Sequence, residues 1–133
     1  FAITGDRVLV AGCYQQWIGG AAEPFVAALD PAGQLLWLTS LPGPADCYWQ
    51  RLAVDACGRV LVATRMVRDR VEVTSLSPGG AVLWRDTIPH SGTLLPWEIA
   101  TDGAGSIWVE LQQWGALDSV FLARYHSECP ITP

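Results

Sequence analysis

Along the 133 residues, apolar side chains gather in short runs, each bounded by Gly, Pro, Asp or Ser. The runs are rich in Val, Leu, Ile and Trp. Runs of roughly four to eight such residues between turn residues predict β-strands. No window keeps a 3.6-residue period between helix caps, so the pattern predicts an all-β chain. The runs also recur. Arg7-Val8-Leu9-Val10-Ala11 returns as Arg59-Val60-Leu61-Val62-Ala63 and, less closely, as Ser106-Ile107-Trp108-Val109-Glu110. Val26-Ala27-Ala28-Leu29 is answered by Val73-Thr74-Ser75-Leu76 and by Leu122-Ala123-Arg124-Tyr125. Gln34-Leu35-Leu36-Trp37 matches Ala81-Val82-Leu83-Trp84, and Leu52-Ala53-Val54-Asp55 matches Ile99-Ala100-Thr101-Asp102. Trp37 and Trp84, Gly58 and Gly105, and Asp55 and Asp102 all stand 47 residues apart.

The punctuation between runs is turn chemistry. In Asp30-Pro31-Ala32-Gly33 and Ser77-Pro78-Gly79-Gly80, Pro presets φ and Gly supplies the positive φ that closes the turn. Asp55-Ala56-Cys57-Gly58 and Asp102-Gly103-Ala104-Gly105 link another strand pair, with each Asp expected to accept backbone N–H bonds. Four short antiparallel strands per repeat of this length form a β-propeller blade. The stretches Trp49-Gln50-Arg51-Leu52-Ala53-Val54-Asp55-Ala56-Cys57-Gly58-Arg59 and Ser75-Leu76-Ser77-Pro78-Gly79-Gly80-Ala81-Val82-Leu83-Trp84 resemble the blade repeats of NHL, SBBP and related bacterial propellers. The resemblance covers nearly the whole chain, but its motifs are structural. The chain departs from the family pattern at the usual Gly-Asn turn, which reads Gly58-Arg59 and Gly105-Ser106.

The expected fold is a β-propeller segment of about three four-stranded antiparallel blades, the first and last incomplete. Blade 1 spans 1–49 with a stub of innermost strand A at Ala2 to Thr4, then B at 7–14, C at 24–30 and outer D at 34–41. Blade 2 spans 50–96, with strands at 50–55, 59–66, 71–77 and 81–88. Blade 3 spans 97–133, with strands at 97–102, 106–113 and 120–126 and no outer strand. A closed propeller takes about 4 to 8 blades. The expected partners are therefore further blades, from the same longer protein or from other copies, and the start at Phe1 fits a fragment or processed product.

Composition narrows the function. Half the residues are apolar and 16% are charged, with a formal net charge of −5. That excludes intrinsic disorder and argues against a nucleic-acid partner, which needs clustered Lys/Arg. No apolar run approaches the ~18 residues of a membrane span. All eight basic residues are Arg and there is no Asn, which reads as the codon bias of a bacterial, high-GC source.

Four cysteines allow three disulfide pairings. In the blade scheme Cys13 and Cys47 share the end carrying the B–C and D–A loops, whereas Cys57 and Cys129 share the opposite end. The favoured pairs are Cys13–Cys47 and Cys57–Cys129, against four reduced thiols. Bridged, they imply an oxidising compartment: extracellular, periplasmic or cell envelope. No zinc-ligand spacing is present, and no metal or cofactor is expected.

The seven Trp are unevenly placed. Trp37 and Trp84 hold the same strand-D position and read as packing between blades, and Trp108 reads as core. Trp17, Trp49, Trp97 and Trp114, with Tyr14 and Tyr48, map to the B–C and D–A loops on one face. Two of those loops carry Gln-Gln-Trp, as Gln15-Gln16-Trp17 and Gln112-Gln113-Trp114. An indole beside amides suits stacking on a sugar ring or anchoring a protein interface. Glu23, Asp46, Asp118 and Arg68 lie on the same loops as polar contacts, and Arg65, Arg68, Asp69 and Arg70 read as a solvated charge run. His90 and His126 fall at opposite ends and make no dyad, and no catalytic motif is present. The expected function is a non-catalytic binding or scaffolding module for a protein or glycan partner. The alternatives are an arc of a propeller lyase or hydrolase whose site needs further blades, and a self-assembling structural subunit.

Overall fold

In the computed structural model the chain is all strand and turn. The structure describes every residue except 16, 17, 19, 68, 69, 90–92, 114–118, 127 and 130–133, and the side chains of 46–48. The strands are β1 (Ala2–Thr4), β2 (Arg7–Gln15), β3 (Ala22–Leu29), β4 (Leu35–Ser40), β5 (Ala45–Val54), β6 (Val60–Met66), β7 (Arg70–Leu76), β8 (Val82–Pro89), β9 (Leu94–Thr101), β10 (Ser106–Gln113) and β11 (Val120–His126). They form three antiparallel sheets in simple meander order: β1-β2-β3-β4, β5-β6-β7-β8 and β9-β10-β11.

The turns work as their sequences require. Asp55 Oδ1 accepts the N–H groups of Cys57 and Arg59, both at 2.9 Å. Asp102 repeats this with Ala104 and Ser106, and Asp30 with Gln34. The bonds from Ser106 and then Ala104 hold the Asp102 carboxyl below its ordinary value. Gly33, Gly58, Gly80 and Gly105 all adopt positive φ.

Each sheet packs on the next, its front face being the one turned towards the following sheet and its rear the other. Leu9, Val26 and Ala28 on the front of the first sheet meet Val60, Val62 and Leu76 on the rear of the second, all fully buried. Leu61, Ala63, Val71 and Val73 on the front of the second meet Ile99, Ile107, Val109 and Leu111 on the rear of the third. Burying each such aliphatic side chain contributes about 1.5–3 kcal/mol. The second sheet is thus covered on both faces, which explains its run of buried residues from Val60 to Thr64 where strict alternation would bury every other one.

The outer-strand tryptophans bridge the sheets. The Trp37 indole N–H donates to the Pro78 carbonyl at 3.0 Å, and its ring lies against Gly80. Trp84 stacks on Tyr125, with centroids 5.3 Å apart. An arginine opens the second strand of each of the first two sheets and reaches the next sheet: Arg7 donates to the Pro78 carbonyl, and Arg59 to that of Glu128. Arg59 is also locked to buried Asp55 at 2.6 Å.

Trp108 departs from the expectation that it is core. It lies on the front of the third sheet, 37% exposed, with the Arg124 guanidinium 5.1 Å from its ring centroid. Its counterparts Leu9 and Leu61 are buried by a following sheet. Among the described residues no sheet follows the third.

Candidate partner-binding face

The first strands of the second and third sheets, β5 and β9, lie side by side, and each carries an irregularity near the end where β2–β3, β6–β7 and β10–β11 are joined. In β5 the pairing with β6 jumps from Ala45–Met66 to Gln50–Thr64. In β9 it jumps from Glu98–Glu110 to Pro96–Leu111, leaving Trp97 as the extra residue. A bulge turns its side chain out of the regular alternation, and such devices recur beside binding sites. Here the bulged segments carry Trp49 and Trp97. Their rings meet with centroids 6.0 Å apart and planes tilted by 30°.

Arg51 fixes this pair. Its Nε donates to the Trp97 carbonyl at 2.7 Å and its Nη1 to the Gln50 carbonyl at 2.8 Å, while its guanidinium carbon lies 5.9 Å from the Trp49 ring centroid. The guanidinium therefore ties β5 and β9 together and adds a cation beside an indole. Next to the pair is a cavity of about 320 Å³, lined by Trp49, Arg65, Thr93 and Leu95. That volume falls at the small end of the roughly 300–1,000 Å³ typical of ligand clefts. Trp97 is 43% exposed and Trp49 half-buried, so one indole is anchored while the other remains open to a partner.

The other residues proposed for this face are distributed differently. Tyr14 is exposed on the rear of the first sheet, where it lines a separate groove of about 350 Å³ with Glu23, Pro24, Phe25, Leu38 and Ser40. Alternation explains this: Leu9 points forward, and Tyr14, an odd number of residues along an unbulged strand, points back. Gln15 is exposed and its side-chain amide donates to the Gly20 carbonyl at 2.7 Å. Gln112 is half-buried and donates to Glu110 at 3.3 Å, and the Gln113 backbone N–H bonds to Ser119. Gln16, Trp17, Trp114, Asp118, Arg68, Asp69 and His90, and the side chains of Asp46, Cys47 and Tyr48, lie outside the described residues.

At the opposite end, Cys57 and Cys129 form a disulfide with Cα atoms 5.6 Å apart. His126 lies at that same end, 3.8 Å from the Glu128 carboxylate. Cys13, near the β2–β3 end, is also disulfide-bonded, and no described cysteine is free. Among the described residues, no three His, Cys, Asp or Glu side chains gather as a metal site.

Sequence reasoning passed over Arg51, Thr93 and Leu95, and read Arg65 as part of a solvated run. Arg65 is instead half-buried in β6 and lines the cavity. The available signal was Arg51 itself, an arginine inside a run otherwise destined for the core. The sequence matches no protein-family model, and no curated protein is significantly similar to it.

Proposed function

We propose that the chain is an arc of a β-propeller, three blades of which the first and last are incomplete, and that it serves as a non-catalytic binding module. It engages a protein partner through the face that presents Trp49 and Trp97. The observation that carries this reading is the tryptophan pair on adjacent bulges, braced by Arg51 and flanked by a cavity. Trp and Arg are the residues most enriched at interface hot spots, and an anchored indole beside an open one offers a prepaid, rigid contact. The repeat of 47 residues and three successive meander sheets of three or four strands support the propeller reading. The Cys57–Cys129 disulfide supports placement in an oxidising compartment, extracellular, periplasmic or in the cell envelope. No described helix is long and apolar enough to cross a membrane.

The test is to display the intact chain to an array of secreted and envelope proteins and to a glycan array, beside Trp97→Ala and Trp49→Ala. A protein ligand whose capture drops by about 2 kcal/mol or more in either variant supports the reading. Capture that ignores both substitutions overturns it, and stacking on a glycan that both substitutions abolish replaces the protein partner by a sugar.

A further inference from the structure

One kind of sheet-to-sheet contact occurs twice within this chain, and it has recognisable giving and receiving parts. The giving sheet supplies a front of small and branched apolar residues: Leu9, Ala11, Val26 and Ala28 in the first sheet, and Leu61, Ala63 and Val73 in the second. It also supplies the arginine that opens its second strand, Arg7 or Arg59, and a tryptophan from its outer strand, Trp37 or Trp84. At the first contact the receiving sheet offers Val60, Val62 and Leu76, together with the Ser77–Gly80 turn. That turn accepts both Arg7 and Trp37 on the Pro78 carbonyl, and Gly80 gives the Trp37 ring its seat. A Cβ at Gly80 would lie 2.6 Å from that ring.

The rear of the first sheet has the same receiving parts. Val8, Val10 and Leu29 occupy the strand positions of Val60, Val62 and Leu76, yet they are only partly buried, and neighbouring Ile3 is 71% exposed. The Asp30–Gly33 turn repeats Ser77–Gly80. Gly33 keeps the positive φ of Gly80, at 82°, but nothing lies within 4 Å of where its Cβ would be. This face is also more apolar than its internal counterpart. Phe25 and Leu38 stand where the second sheet has the Glu72–Arg85 ion pair.

The front of the third sheet lacks the giving parts. Ser106 replaces the arginine, Trp108 the leucine, Glu110 the alanine, and Arg124 stands where Ala28 and Ser75 stand. Arg124 lies over Trp108 and donates to Ser106 Oγ at 3.2 Å, so its charge is held on that face. Glu98 and Glu110 sit directly opposite one another in β9 and β10. Laying this front on Val8, Val10 and Phe25 would strip water from these carboxylates against an apolar surface, a costly exchange.

We infer that the rear of the first sheet is an interaction surface for a β-sheet that differs from this chain's own third sheet. The partner sheet carries a small apolar front, an arginine opening its second strand that reaches the Pro31 carbonyl, and an outer-strand tryptophan that settles on Gly33. A second copy of this chain stacked head to tail is not that partner. The inference rests on reading the chain as an arc of stacked sheets, and the face bearing Trp49 and Trp97 takes no part in it.

The experiment gives the third sheet the arginine and the small apolar front of that partner, without its outer-strand tryptophan. The intact chain carrying Glu98→Gln, Ser106→Arg, Trp108→Leu, Glu110→Ala and Arg124→Ser is compared with wild type by sedimentation, the probe being the protein itself. Retention of the Cys57–Cys129 linkage and of the β-sheet circular dichroism establishes that the variant is folded. The expected result is self-association at least about tenfold tighter than wild type, returned to the wild-type value when Val10→Lys is added. A folded variant that gains nothing, or whose gain survives Val10→Lys, overturns the inference. Should the variant not fold, the wild-type background decides: Val10→Lys is expected to leave sedimentation unchanged, and a loss of self-association would identify a second copy as the natural occupant. Partner capture on the Trp49–Trp97 face is measured separately, so failure of the proposed function and failure of this inference give different results.

Discussion

The contact between the first and second sheets and that between the second and third use the same strands in the same register, but they are fastened differently. At the first, Trp37 rests on a glycine, and Arg7 donates to a carbonyl with no buried carboxylate to hold it; its ion-pair neighbour Asp6 is exposed. At the second, Trp84 stacks on Tyr125, whose hydroxyl donates to Asp86 at 2.9 Å. Arg59 is clamped by buried Asp55, and Cys57–Cys129 crosses the junction covalently. The second junction therefore carries a buried ion pair where the first carries one with an exposed carboxylate, and its polar fastening is expected to be the stronger.

The largest effect expected is that of removing the Cys57–Cys129 bridge. Cys57→Ser with Cys129→Ser opens a loop of 72 residues. Chain-entropy reasoning puts the loss at about 4 kcal/mol, read as a lowered urea midpoint. Native-state hydrogen exchange should then show β9 to β11 opening more readily than in wild type. Next comes Asp55→Ala, which leaves Arg59 buried without its carboxylate and should cost about 3 kcal/mol. Its counterpart Arg7→Ala removes a partly exposed hydrogen bond and should cost no more than about 1.5 kcal/mol in the same denaturation experiment.

Gly80→Ala adds a collision with the Trp37 ring to the strain of positive φ, and about 2 kcal/mol is expected. Gly33→Ala meets only the strain and should cost about 1 kcal/mol; equal losses at the two glycines would contradict the tryptophan seat. The smallest effect is Tyr125→Phe, about 1 kcal/mol at neutral pH. Burial, followed by the hydrogen bond and charge of Asp86, pushes the Tyr125 phenol well above its ordinary value. The folded protein thus holds this proton more tightly than the unfolded chain. The contribution is complete below about pH 10 and is lost as pH rises from there through the folded value. Wild type should lose stability more steeply than Tyr125→Phe above about pH 10.

Much of the strand framework was legible because it is local. Short apolar runs mark β6 and β7, and the Asp55 and Asp102 turns announce themselves through side chains that bond their own backbone within a few residues. The Trp37–Trp84 spacing exposed the repeat, and their packing role follows from holding the same position twice. What escaped depends on partners distant in sequence. β5 begins at Ala45, ahead of the expected start at Gln50, because its bulge is a property of pairing with β6. Trp108 read as core because any tryptophan in a strand does, but burial there requires a sheet to follow. Tyr14 read as a neighbour of Trp49 because it sits at the same end of its sheet, and parity along β2 turns it to the other side. Arg51 was invisible as a brace, since its acceptors belong to an adjacent sheet as well as to its own strand.

The Cys57–Cys129 bond also dictates how the chain responds to force. Tension carried along the chain crosses the bond and bypasses the loop it closes, a sequence separation of 72. At about 3.4 Å per residue, roughly 240 Å of contour length is withheld from extension for as long as the bond is intact. Under load that loop should therefore stay closed, and release its length only to a reductant.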